Sequence, residues 1–569
     1  MRKRTRFLAA LLAGVMVLGM AACGGGGDDD KSSGDTQAAA GETKGQAAEA
    51  NTDNAGGSES SGAEKIATIA ITNAWASWCP YFDSGNYTDI VSDQLYDRLW
   101  ITHKDGTVSP RLAESYEVSD DHTYMTIHLN KEAKFSDGEP VTADDVIYSA
   151  RLDCNPAFNS VKRDQMKFVK GTNEGGAWEK EEDLGWEKID DYTVKLSFKE
   201  AMSELNFLNM MNRYFYVIPE HVYSKYSPEE LNEATPWKDN MVGSGPFIYD
   251  TSIDGERIEM VKNENYFLGT PDIDRLVIRV VEGSQLLSVL MAGEVDLIAG
   301  GGIAAMPLSD WPAAQEEANL ETVAVTNYAY QAMIINCTSE KIPNAECRFA
   351  LNMAVNRQAI VDNLLGGEGS VVYAPFSNEH PFVDESKLNM PVYDPEAAKK
   401  MLEDNGFDFN NTLELIVPTG NEIRIQSTVL IQQDLEAIGV KTNITQYDFA
   451  TLMQMMRDGE YDLGMCGSAG GIDPTEPLGW LGLGTNQNFP CIMDYSYTEL
   501  FAATNSVLDQ DKRVEAFVEV WQHLLDDSPV CYLYSENHRV AYNKDRLSGV
   551  NFDEAEQLNW CTWTWTVNE

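Results

Sequence analysis

Between residues 394 and 465 the chain repeats one alternation, helix then strand, and this limits the folds open to it. Asp394 precedes Pro395, apolar positions follow to Leu402, and Asn405-Gly406 closes the segment. Proline suits a first helical turn, where its missing N–H has no partner, and glycine past the last turn accepts the left-handed conformation. Residues 413–417 (LELIV) read as a strand and 423–438 as a helix closed by Gly439. Val440, Thr442 and Ile444 alternate as a further strand, 449–457 is helical, and 461–465 opens another strand. Such a succession lays helices on a sheet, so the fold class is α/β. No repeat of about 20–50 residues runs through the chain, which sets solenoids and propellers aside.

A second well-specified stretch, residues 109–152, reads as a strand, a turn and a capped helix. Tyr124, Thr126 and His128 alternate with Met125, Ile127 and Leu129, Asp137-Gly138 supplies turn chemistry, and Thr142 stands three residues before Asp145 as in a capping box. The wording itself, LAESYEVSDD at 112–121 and FSDGEPVTADDV at 135–146, resembles extracellular solute-binding protein family 5. These are the oligopeptide- and dipeptide-binding receptors of ABC importers. Further ordered matches are QLYDRLW at 94–100, GSGPF at 243–247, GEVD at 293–296 and CRFALNMAVNR at 347–357. GSGPF is no phosphate loop, since no Lys and Ser/Thr helix start follows; its two glycines permit backbone conformations barred to other residues.

The resemblance extends from Ala67 to nearly the end of the chain. It implies a two-lobed, periplasmic-binding-protein-like (Venus flytrap) fold with an extra small α/β domain in the first lobe. The first lobe then covers residues 65–325, with the small subdomain at about 90–225, the second lobe 326–534, and residues 535–569 return to the first. Residues 326–337 form a strand crossing between lobes, 345–365 a long amphipathic helix, and 560–565 a last strand with Trp563 and Trp565 on one face as core.

The N-terminus carries a targeting pattern. Arg2, Lys3, Arg4 and Arg6 precede an apolar run over 7–22, shorter than the ~20 residues that span a bilayer. It ends in LGMAAC at 18–23, which resembles a bacterial lipobox and implies a signal peptide over 1–22 and diacylation of Cys23. Two acyl chains hold a stable anchor. Residues 23–64 then form a tether of Gly, Ser, Asp, Ala and Gln that buries too little to order itself. About forty such residues span roughly 35 Å. The expected location is the outer face of the cytoplasmic membrane, as a monomer. The remaining eight of the nine cysteines fit no zinc spacing, and disulfides and buried thiols stay equally open.

A net charge of −48 excludes nucleic acid as a partner, because phosphate binding needs clustered Lys and Arg. HExxH, GxSxG, P-loop and CxxC patterns are lacking, and the seven His residues have no metal-ligand spacing. The expectation is a binding protein without catalysis, cofactor or metal; a surface hydrolase is the reading from another class.

In peptide-binding relatives an Asp in a GWxxD segment holds the ligand's amine. The aligned stretch here runs from Met465 to Trp480, and its Asp473-Pro474 fixes Gly470 at the place of that Asp and Gly467 at the Trp's. Asp473 or Glu476 then takes over the amine, or the ligand has none; Asp473 as the N-cap of a following helix is the structural alternative. Glycines here leave room for a bulkier ligand, such as a longer peptide or a sugar stacked on Trp480, Trp75 or Tyr328. Trp75, Trp78 and Tyr81 are cleft walls or loop packing. Tyr328 and Tyr330 on one crossing, and Tyr534 and Asn537 near the other, are candidate ligand contacts. Arg424 lies where some relatives bind a carboxylate, across a gapped alignment, and that role is not carried over. The implied partners are a peptide or another small solute, such as an oligosaccharide, and a membrane permease of an ABC transporter.

Overall fold

The strand Ile66–Ile71 buries Ala67, Ile69, Ala70 and Ile71 because it occupies the middle of a seven-stranded sheet. It runs parallel to Arg275–Val280 and Leu297–Ile298. Arg257–Lys262 and Phe247–Ile253 extend the sheet antiparallel on one side, His538–Asn543 and Leu320–Val325 on the other. The computed structural model describes residues 63–568 except 84, 104, 300–302, 305, 378, 420, 469–470, 475–480, 482–487, 493–495 and 552–560. The expected signal peptide, Cys23 and most of the tether lie outside the described residues, as do Gly470, Glu476 and Trp480.

A second sheet takes its strands in the order Gly369–Val371, Val530–Glu536, Tyr330–Ile335, Leu463–Ser468, Thr412–Pro418 and Lys441–Tyr447. The last three are mutually parallel, as the helix–strand alternation requires. Their helices begin where the caps stand: Asp394 accepts from Ala397 N, Asn421 from Arg424 N and Asp448 from Thr451 N. Gly406, Gly439 and Gly459 follow the three helices at positive φ. A third, antiparallel sheet orders Ala113–Val118, Tyr124–Leu129, Thr193–Ser197 and Trp186–Asp190. Met125, Ile127 and Leu129 turn inward onto its helix Ala143–Asp153, whose cap forms as expected, Thr142 N–H donating to Asp145 Oδ2 at 2.8 Å.

Three local readings need correction. Residues 345–365 form two helices, Ala345–Met353 and Arg357–Leu364. The break occurs where Asn356 caps the second helix and the buried Arg357 guanidinium donates to the carbonyls of Tyr532 and Asn352. In place of a last strand over 560–565 there is a 3-10 turn, Thr562–Thr564, before the short strand Thr566–Val567. Trp565 is core, whereas Trp563 is half-buried under the Arg111 guanidinium, 4.0 Å from its ring. Gly243 and Gly245 do not have positive φ. They are needed for space, since a Cβ would lie 1.9 Å from Leu95 O at Gly243 and 2.4 Å from Gln94 O at Gly245.

Candidate functional site

The chain passes between the first and second sheets twice, and the two passages lie side by side. Val325 still pairs with His538 in the first sheet, and Tyr330 already pairs with Ser468 in the second. Ser535 and Glu536 pair with Ser370 and Gly369 in the second sheet, so the return crossing falls at Asn537. Asn327 joins the passages by donating to Glu536 O at 2.7 Å, and its own carbonyl accepts from Ser377 Oγ at 2.9 Å. Asn537 N–H donates to Glu368 O, and Trp311 Nε1 reaches Glu368 Oε1 at 3.1 Å. Two adjacent, hydrogen-bonded crossings are the arrangement that lets two lobes turn as a hinge, by φ and ψ change in a few residues.

Beside these crossings the parallel strands Leu463–Ser468 and Thr412–Pro418 end, and because the carboxyl ends of parallel strands are the usual place for a ligand in such sheets, this is the candidate crevice. On the second sheet it is bordered by Gln331, which faces Gly467 across the register. A Cβ on Gly467 would lie 2.7 Å from Tyr330 O and 2.8 Å from Gln331 Oε1, so the backbone approach excludes any larger residue. Gln331 Oε1 also accepts from Arg424 Nε at 2.8 Å, which places a half-buried guanidinium at the crevice. Tyr534 lies behind it in the core; burial pushes its phenol up to about 12, and it bonds Ser427 Oγ at 3.2 Å.

Tyr328 packs edge-on against His380 at 4.5 Å, and Phe376 stacks on the same ring. Burial holds the His380 imidazole down to about 4, so it is neutral; Nδ1 accepts from Phe382 N and Nε2 donates to Gly471 O at 2.9 Å. Tyr330 lies deeper, against Phe376 and Tyr532. Asp473 accepts from Arg513 Nη1 at 2.7 Å, with both side chains enclosed. Its carboxylate therefore has a cation from the helix Gln510–Asp527.

On the first sheet, Trp75 and Trp78 meet edge to face at 5.3 Å, and Trp78 continues onto Tyr249 of the edge strand at 5.5 Å. Both tryptophans are half-buried, whereas Tyr81 is core. The sequence-derived residues thus separate into Asn537 at the return crossing, a buried group (Tyr328, Tyr330, Tyr534, Asp473) and the tryptophan pair. Gln331, His380 and Arg513 were not anticipated; the scarcity of histidine was the one available signal. Among the described residues no group of three or more His, Cys, Asp or Glu could hold a metal ion, and no helix is long and apolar enough to cross a membrane.

Comparison with known proteins bears on the fold and the family. The Oligopeptide-binding protein AppA of Bacillus subtilis is 23% identical over 82% of this chain and 85% of its own length. Heme-binding protein A of Haemophilus influenzae is 30% identical over 68% and 71%. The ABC transporter substrate-binding protein CtaP of Listeria monocytogenes superposes with a TM-score of 0.79 at 21% identity, over 89% of this chain and all of its own. The profile of the bacterial extracellular solute-binding proteins, family 5 Middle, matches residues 107–489. The chain belongs to the bacterial extracellular solute-binding proteins of family 5.

Proposed function

We propose that this protein captures an oligopeptide between its two large sheets and delivers it to the membrane permease of an ABC importer, performing no chemistry itself. The carrying observation is the pair of crossings at 326–329 and Asn537, a hinge about which the crevice can close. Trp75, Asn537, Gln331 and Arg424 line the solute's path in this reading, and the buried Tyr328, Tyr330 and Tyr534 support it from behind. An extended peptide would add main-chain hydrogen bonds at the strand ends, with side-chain pockets tolerating many sequences. Cys23 would carry the lipid that holds the monomer at the outer face of the membrane, and Cys23→Ser would release it into the soluble fraction.

Asp473 favours a second reading. Its carboxylate is engaged by Arg513, so a free amine on the solute would have to find its partner elsewhere or be absent. A solute without an amine, such as an oligosaccharide or a blocked peptide, fits that arrangement, and a relative named for heme binding shows how far names in this family range. A thermal-shift series with unblocked peptides, N-acetylated peptides and oligosaccharides separates the readings. A solute at about 100 times its Kd stabilises the folded state by about 2.7 kcal/mol. Shifts with unblocked peptides support the first reading; shifts with sugars and none with peptides overturn it.

A further inference from the structure

The helix Glu204–Arg213 contributes to two cores. Phe207, Leu208, Met210 and Met211 pack into the core of the four-stranded sheet, and Leu208 O accepts from Trp100 Nε1. Leu205 belongs instead to the apolar cluster under the second sheet, the one containing Phe382 and Ile472, and is 8% exposed there. A recess of 250 Å³ remains around it, with Leu205 and Leu208 on one side and Pro381, Ile472 and Leu508 on the other.

The surface that receives Leu205 is built from the segment packed on Tyr328 and the segment that follows the strand Leu463–Ser468. Pro381 lies between His380 and Phe382, and Ile472 between Gly471 and Asp473. His380 holds Gly471 O, and Arg513 holds Asp473. Leu205 therefore joins the small sheet to the second lobe, and it does so outside both hinge crossings.

We propose that Leu205 is an apolar latch that biases the protein towards the closed arrangement, and that it must leave its site for solute to be released. This deepens the solute-capture reading and rests on it. The latch acts on the open–closed equilibrium, so its loss lowers the fraction of molecules that are closed without solute. Exposing one leucine shifts such a population by roughly tenfold. The recess keeps the seam incompletely packed, which suits a contact that has to open again.

The test needs no identified solute. Small-angle X-ray scattering on the solute-free full chain compares the wild type with Leu205→Asp and, separately, Leu508→Asp. Leu508 is 36% exposed, so that variant folds even where the first does not. Ile189→Asp, at an apolar site 53% exposed on the four-stranded sheet, is the control. Both latch variants are expected to have a larger radius of gyration than wild type and faster hydrogen exchange over residues 203–213, with the control unchanged. Wild-type scattering from both variants, or an equal expansion in the control, overturns the proposal. A wrong solute class leaves this result standing and is detected by the thermal-shift series alone.

Discussion

Arg513 donates to Asp473 across 2.7 Å, and the two side chains are 0% and 2% exposed. A buried pair of this kind is costly to break from one side, because the remaining charge keeps its desolvation penalty without the compensating attraction. Asp473→Asn is therefore expected to lower stability by about 3–5 kcal/mol in urea unfolding, with the solute affinity of the folded fraction little changed. Lost affinity at unchanged stability would instead make the carboxylate a solute contact.

His380 gives the stability profile an acid limb. Its folded value is about 4, against about 6.5 for the unfolded chain. Between those values the unfolded chain takes up a proton that the folded chain refuses, so stability falls as pH drops through that window, by roughly 3 kcal/mol in total. Unfolding of His380→Gln at pH 7 and pH 4.5 should show this loss removed, although the variant starts lower for want of the imidazole packing.

Asp153 works in the opposite direction. It is buried in the first lobe beside Ser160, which donates to Oδ1, and burial raises its carboxyl to about 7. The unfolded chain releases that proton near pH 4, so stability is lost as pH rises from about 4 to 7 and the penalty is complete above. Asp153→Asn should be the more stable protein at pH 8, by up to roughly 4 kcal/mol, and equal to wild type near pH 3. The two limbs overlap, which is why single variants are needed to see either.

Gly467→Ala tests the crevice wall. The added methyl would meet Tyr330 O and Gln331 Oε1 inside 3 Å, and overpacking of this sort costs about 1–3 kcal/mol. Because Gln331 also holds Arg424, the variant should lose solute affinity together with thermal stability. Unchanged affinity in isothermal titration would move the solute away from this wall.

Much of the fold could be read locally. Asp394, Asn421 and Asp448 start their helices as the cap chemistry demands, and the alternation in 124–129 became a strand with Met125, Ile127 and Leu129 inside. Local pattern failed where a distant partner decided the outcome. The helix break before Arg357 depends on carbonyls such as that of Tyr532, 175 positions away. Asp473 and Arg513 are 40 positions apart, and neither spacing nor periodicity names such a partner. The glycines of GSGPF invited an argument from dihedral freedom, whereas the carbonyls of Gln94 and Leu95, which exclude a side chain there, are invisible to any reading of five residues.

The hinge also dictates an order of assembly. Every strand of the second sheet lies between Tyr330 and Glu536, so that lobe can pair completely before the chain is finished. The first sheet cannot, because His538–Asn543 sits between Leu320–Val325 and Leu297–Ile298. Until those late residues arrive, two strand edges of the earlier-made lobe stay open to wrong partners. A chain cut just after Glu536 would thus keep every strand of its later-made sheet and leave its first sheet incomplete, the reverse of what truncation from the C-terminus ordinarily does.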